Sequence, residues 1–205
     1  SQCPRTTHWR CGSFVSPKAI PQMADTGEVI GNLELGGSAS SLLAIIANER
    51  GAADAVIFDE ISYLGFPFSV SETFQKRNTN STIAQSLGRV AEIQNLCIKN
   101  KKELVVYISM GFGNPYGDVY NEEIVFEWVK KLVGMNIKII SLADTVGVAT
   151  KEQVYSITKY LVDSLPGTEI GVHLHSTPAN WKEKVNAALQ AGCKRFDGAL
   201  KGIGG

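Results

Sequence analysis

Short, continuous apolar runs alternate with amphipathic helical segments along most of this chain, and that beat leaves few folds open. Leu104 to Ser109 (Leu-Val-Val-Tyr-Ile-Ser) is the clearest run; Ser41 to Ala47, Ile61 to Ser69, Ile137 to Leu142, Glu169 to His175 and Arg195 to Leu200 are of the same kind. A strand that is apolar on both faces has to be covered on both, which helical crossovers between parallel strands achieve. The intervening segments read as those helices. Ala52 to Phe58 is a helix of small residues, and Thr82 to Lys99 sets Ile83, Leu87, Val90 and Ala91 on one face. Asn121 to Val133 opens on a capping residue, carries Glu122 and Glu123 in its first turn, buries Val125, Trp128, Val129 and Leu132, and stops at Gly134. Thr150 and Gln153 form a capping box for a helix that uses Val154, Ile157, Leu161 and Leu165 before Pro166-Gly167 breaks it. Thr177 is expected to cap the next helix, with Pro178 in its first position, Trp181, Val185, Ala188 and Leu189 on its inner face, and Gly192 closing it. Pro67 is expected to mark the end of its strand.

Polar residues fall at the carboxyl ends of these strands: Ser71-Glu72, Gly111 to Tyr116, Asp144-Thr145, His173 with His175, and Gly202 to Gly205. A (β/α)8 barrel gathers its active site there, and an open doubly wound sheet also binds at that edge. No glycine-rich dinucleotide fingerprint follows the first strand, so the expected fold is α/β, a (β/α)8 TIM barrel. His173 and His175 are two of only three histidines in the chain. Side chains along a strand repeat with period two, so both imidazoles are expected on one side, where they make half of a divalent-metal site. The plainer alternative is one core histidine and one hydrogen-bonded surface histidine.

Composition narrows the partners. The 205 residues are 44% hydrophobic and 20% charged with zero formal net charge, which fits a single domain over residues 1–205. Without a basic excess, nucleic acid is not an expected partner. No apolar run is long enough to span a membrane, and the first ten residues lack the apolar core of a signal peptide. Cys3, Cys11, Cys97 and Cys193 are widely spaced, which points to reduced thiols and a cytoplasmic setting.

Several segments resemble the hydroxymethylglutaryl-CoA lyases. Ser13-Phe-Val-Ser-Pro-Lys-Ala-Ile-Pro-Gln-Met-Ala-Asp25 is similar to their loop after strand two, and Ser71-Glu-Thr-Phe-Gln-Lys-Arg-Asn-Thr-Asn80 to the loop after strand four. Leu142-Ala-Asp-Thr-Val-Gly-Val-Ala-Thr150 resembles the strand-six loop, His173-Leu-His175 the metal-binding pair, and Gly202-Ile-Gly-Gly205 the start of the signature loop. His-x-His and Asp-Thr are also shared by other metal-dependent aldolases and acyl-CoA condensing enzymes, which stay open as alternatives, as does a non-catalytic remnant. The resemblance implies an acyl-CoA substrate, a divalent cofactor (Mg2+ or Mn2+) held by His173 and His175, and catalytic roles for Arg5 and Asp144. Substrate contacts are implied for Ser71, Asn114, Thr145, Gly204 and Gly205, and homo-oligomerisation is compatible with it.

The departures are as specific as the matches. Cys3-Pro4-Arg5 is similar to the family's strand-one ending, yet Thr6 stands where a metal-binding aspartate is expected, and Arg10-Cys11 where an acid is expected before Gly12. A βα unit of such a barrel needs about 30 residues, one eighth of roughly 250. The first βα unit is therefore expected to be largely missing, residues 1–11 to be of uncertain homology, and the last helix absent. Since the family's catalytic cysteine would follow Gly205, these residues alone are expected to turn over substrate barely. Each site residue also has a structural use: Asp144 as a strand-end cap, Asn114 in a turn, Glu72 as a cap or partner of Lys76, Cys193 in the core.

Overall fold

The computed structural model describes residues 8–199 apart from positions 17, 19 and 37. They fall into two compact units: the described residues of Ser1–Phe66 with Arg89–Val105, and those of Pro67–Gly88 with Val106–Gly205.

The first unit begins with strand β1, His8–Phe14, seven residues long. β1 pairs in parallel with β2 (Ser41–Ile46) from His8 opposite Ser41 to Phe14 opposite Ile46, with a register shift between Arg10 and Gly12. A short helix α1, Thr26–Gly31, follows β1, and its Thr26 hydroxyl bonds back to the carbonyl of Ser13. Helix α2, Glu49–Val56, is capped by Asn48, whose side chain accepts the Gly51 amide. Gly51 is obligatory at this crossing, because a Cβ there would lie 2.2 Å from the carbonyl oxygen of Phe14. β2 pairs in parallel with β3, Ile61–Ser69. β3 does not end at Pro67. Proline forfeits one ladder donor, but Phe66 and Phe68 on either side are fully buried and hold the strand.

Helices α3 (Glu72–Thr79) and α4 (Ile83–Lys99) follow β3, then β4 (Glu103–Ser109) and α5 (Glu122–Gly134). β5 (Ile139–Asp144) leads to α6 (Lys151–Ser164), β6 (Glu169–Leu174) to α7 (Trp181–Gln190), and β7 is Arg195–Asp197. In the second unit β5, β6 and β7 pair in parallel, in chain order and in register, which sets Ser141 beside Gly171 and Gly171 beside Arg195, then Ala143 beside His173 and His173 beside Asp197. All six residues of β5 are buried, as continuous apolar strands in a parallel sheet must be. The Asn121 cap and the Thr150/Gln153 capping box are present as expected.

Helix α7 departs from expectation. Thr177 and Pro178 form a turn ahead of it: the Thr177 amide donates to Asn180 Oδ1, and the helix starts at Trp181. Its buried residues are Lys184, Ala187 and Ala188, whereas Trp181 and Leu189 are each 53% exposed. A buried lysine that finds an ion-pair partner has rotated the inward face away from the larger apolar side chains.

Candidate active site

The second unit carries the paired histidines at the carboxyl end of β6. The ring centroids of His173 and His175 lie 5.3 Å apart, so the imidazoles share a side, as the period of a strand requires. Tyr107 of β4 meets His173 edge to face at 6.1 Å. Asp197 of β7 stands opposite His173, its Oδ2 3.8 Å from His173 Nδ1, and accepts the Ser141 hydroxyl at 2.8 Å. Burial pushes the Asp197 carboxyl up, but His173, the Ser141 hydroxyl and the Arg195 charge together outweigh it and hold that carboxyl below its ordinary value.

Asp144 ends β5 and is 1% exposed. Its Oδ2 accepts from Lys184 Nζ at 2.8 Å and its Oδ1 from the Ala149 amide at 3.1 Å, so both oxygens are engaged by the protein itself. Lys184, 2% exposed, also donates to the carbonyl of His175 at 3.1 Å. The Thr145 hydroxyl accepts the amide of Met110 at 2.9 Å and steadies a residue held at φ +59° just past β4.

The other expected contacts gather around Asp118. Ser71 is fully buried and caps α3 by accepting the Phe74 amide, while its hydroxyl donates to Asp118 Oδ2 at 2.6 Å. The Thr73 amide and hydroxyl donate to the same carboxylate, and with the Ser71 hydroxyl leading they hold it below its ordinary value. Asn114 closes the turn beside it, accepting from the Tyr116 and Asp118 amides and donating to the Asp118 carbonyl. Glu72 accepts the Ile83 amide and pairs with Lys76 at 3.2 Å, the structural use considered for it. Cys193 is buried, as expected of a core residue. Arg5, Gly204 and Gly205 lie outside the described residues.

Asp197, Lys184 and Asp118 were not singled out in the sequence. Asp197 ends β7, but the apolar run from Arg195 to Leu200 set it inside the expected strand and hid it. A lysine within an amphipathic helix reads as a solvated face, so Lys184 carried no signal.

His173 Nδ1 is buried and has no hydrogen-bond partner. An orphaned imidazole nitrogen beside a second imidazole and a carboxylate is the donor chemistry of a divalent cation. Among the described residues no group of three or more His, Cys, Asp or Glu side chains is arranged to hold a metal. The pair therefore fits a divalent ion as part of a ligand set.

Parallel strands alternating with helices, with imidazoles, hydroxyls and carboxylates at their carboxyl ends, define the class of the (β/α)8 barrels. Within that class the chain belongs to the HMGL-like family, whose model matches residues 19–205. It is 33% identical to a cytoplasmic 3-hydroxy-3-methylglutaryl-CoA lyase of Rattus norvegicus over 196 residues, 94% of this chain and 56% of the relative. It is 31% identical to the hydroxymethylglutaryl-CoA lyase YngG of Bacillus subtilis over 193 residues, 94% of this chain and 64% of the relative. The chain thus spans little more than half to two thirds of the curated relatives' length. Among solved structures, an HMG-CoA lyase of Bacillus subtilis superposes with a TM-score of 0.90 at 30% identity, covering 98% of this chain and 67% of that one. An A. baumannii HMG-CoA lyase in complex with coenzyme A and 3-methylmalate gives 0.89 at 32% identity, covering 97% of this chain and 64% of that one. No helix among the described residues is long and apolar enough to cross a membrane.

Proposed function

We propose that this chain carries the metal-binding histidines of a carbon–carbon lyase that cleaves hydroxymethylglutaryl-CoA to acetyl-CoA and acetoacetate. The observation that carries the reading is the His173–His175 pair, rings 5.3 Å apart with one nitrogen buried and unpartnered, in a chain of the HMGL-like family. The acyl-CoA part rests on its relatives, one of which was solved with coenzyme A.

His173 and His175 would hold Mg2+ or Mn2+, which as a Lewis acid would polarise the substrate's hydroxyl and carboxylate. The protein's own groups do the rest. Asp197, itself steadied by Ser141, brings a carboxylate beside the unpartnered Nδ1 of His173, and Tyr107 packs edge to face against the ring. Arg5 is the proposed cation for the developing enolate oxygen. Asp144, with both oxygens engaged, acts on the site through the groups it holds. A cytoplasmic setting is proposed from the relative of that name and from the free thiols of Cys11, Cys97 and Cys193.

The test is acetoacetate release from hydroxymethylglutaryl-CoA, coupled to its reduction, by the chain with and without Mn2+. These residues alone are expected to release acetoacetate barely, and what release there is should require the metal and be lost in His173→Ala and in His175→Ala. Metal-independent cleavage, or cleavage indifferent to both substitutions, overturns the reading.

A further inference from the structure

Lysine is almost never fully buried unless it is paired, and then it is held for a reason. Lys184 of α7 is 2% exposed, and its ammonium reaches past the helix to two acceptors: Asp144 Oδ2 at 2.8 Å and the carbonyl oxygen of His175 at 3.1 Å. Asp144 in turn accepts the Ala149 amide through its other oxygen, and its carbonyl accepts the Gly147 amide, so the loop after β5 is folded around it. Gly147 lies against His175: a Cβ added to it would stand 3.8 Å from both the Cβ and the carbonyl oxygen of His175. One ammonium therefore joins the segments that follow β5 and β6 at the residue whose imidazole completes the pair.

We propose that Lys184 is a positioning residue for His175, fixing that residue's main chain against Asp144 and thereby the direction of its imidazole. The inference rests on the metal-site reading given above. His175 lies one residue beyond the end of β6, where the strand ladder no longer fixes the backbone. The Lys184 bond takes over that role, and it is a charge-assisted bond in a water-poor setting, stronger than a neutral one.

The experiment compares the full chain with Lys184→Met and with the double variant Asp144→Asn/Lys184→Met, by thermal unfolding and by Mn2+-induced broadening of the histidine ring resonances. Lys184→Met alone leaves the Asp144 charge buried without its partner and is expected to melt well below the parent. The double variant removes that stranded charge and is expected to recover most of the lost melting temperature. Its Mn2+ affinity, read from the broadening, is nevertheless expected to stay about 10- to 100-fold weaker than the parent's, the usual loss when a supporting group behind a metal ligand is removed. The broadening at His175 should fall more than that at His173. A refolded double variant that binds Mn2+ within about twofold of the parent overturns the positioning role while leaving the metal reading intact. A parent chain in which neither histidine responds to Mn2+ overturns the metal reading, and the inference with it.

Discussion

Gly171 of β6 lies between Ser141 of β5 and Arg195 of β7, and placing an alanine there tests how tightly these strands are packed. An added Cβ would stand 2.9 Å from Cδ and 3.0 Å from both Cβ and Cγ of Arg195, its register partner on β7. Carbon atoms in good contact sit about 3.5–4.0 Å apart, so the overlap is roughly 0.5–1 Å at three atoms together. Arg195 cannot swing clear. Its Cβ moves only with the β7 backbone, and its Nη1 is tied to Glu169 at 3.1 Å. Overpacking of this kind costs about 1–3 kcal/mol, and the gain in backbone entropy from replacing glycine in a strand returns about 0.5–1. The net loss is about 0.5–2 kcal/mol, which for a domain of this size lowers Tm by about 1–8 °C. Thermal and urea unfolding of Gly171→Ala measure it. The same substitution in an Arg195→Ala background, where Cγ and Cδ are gone, should cost at least about 1 kcal/mol less. If the two substitutions add within about 0.3–0.5 kcal/mol, Arg195 is not the obstacle and the packing argument is wrong.

Two further outcomes follow from the charged and thiol groups. The Asp197 carboxyl is held below its ordinary value, so on acidification the unfolded chain takes up that proton first, and the stability Asp197 contributes is present above about pH 4 and lost as the pH falls through its folded value. Asp197→Asn should flatten the acid limb of a urea-unfolding series from about pH 6 to 3, and an unchanged slope would remove Asp197 from the account. Burial pushes the Cys97 thiol up to about 12, with Glu103 adding to it, and the Cys193 thiol up to about 11. At about pH 8 only about one Cys97 in 10⁴ is thiolate, so both thiols should resist a thiol reagent in the native chain and react on unfolding; rapid native labelling of either would contradict the burial described.

The strand–helix beat and its termini were legible because they are local. Apolar runs such as Leu104 to Ser109 state that they are covered on both faces, and Asn121 and Thr150 cap their helices through side chains within three residues. The histidine pair was legible for the same reason: strand period alone puts His173 and His175 on one side. Asn114 and Glu72 make the local bonds their spacing allowed. What the sequence could not decide depends on partners distant in the chain. Pro67 stays in its strand because Phe66 and Phe68 are buried by residues that sequence order does not bring near. The inward face of α7 is set by Asp144, 40 residues before Lys184, and not by the apolar stripe of the helix itself. Asp197 joins the site only through the register of β7 on β6, and Ser141 only through β5 on β6. Propensity and periodicity are properties of neighbouring residues, whereas an ion pair or a register brings together groups that only the folded backbone places within a few ångströms.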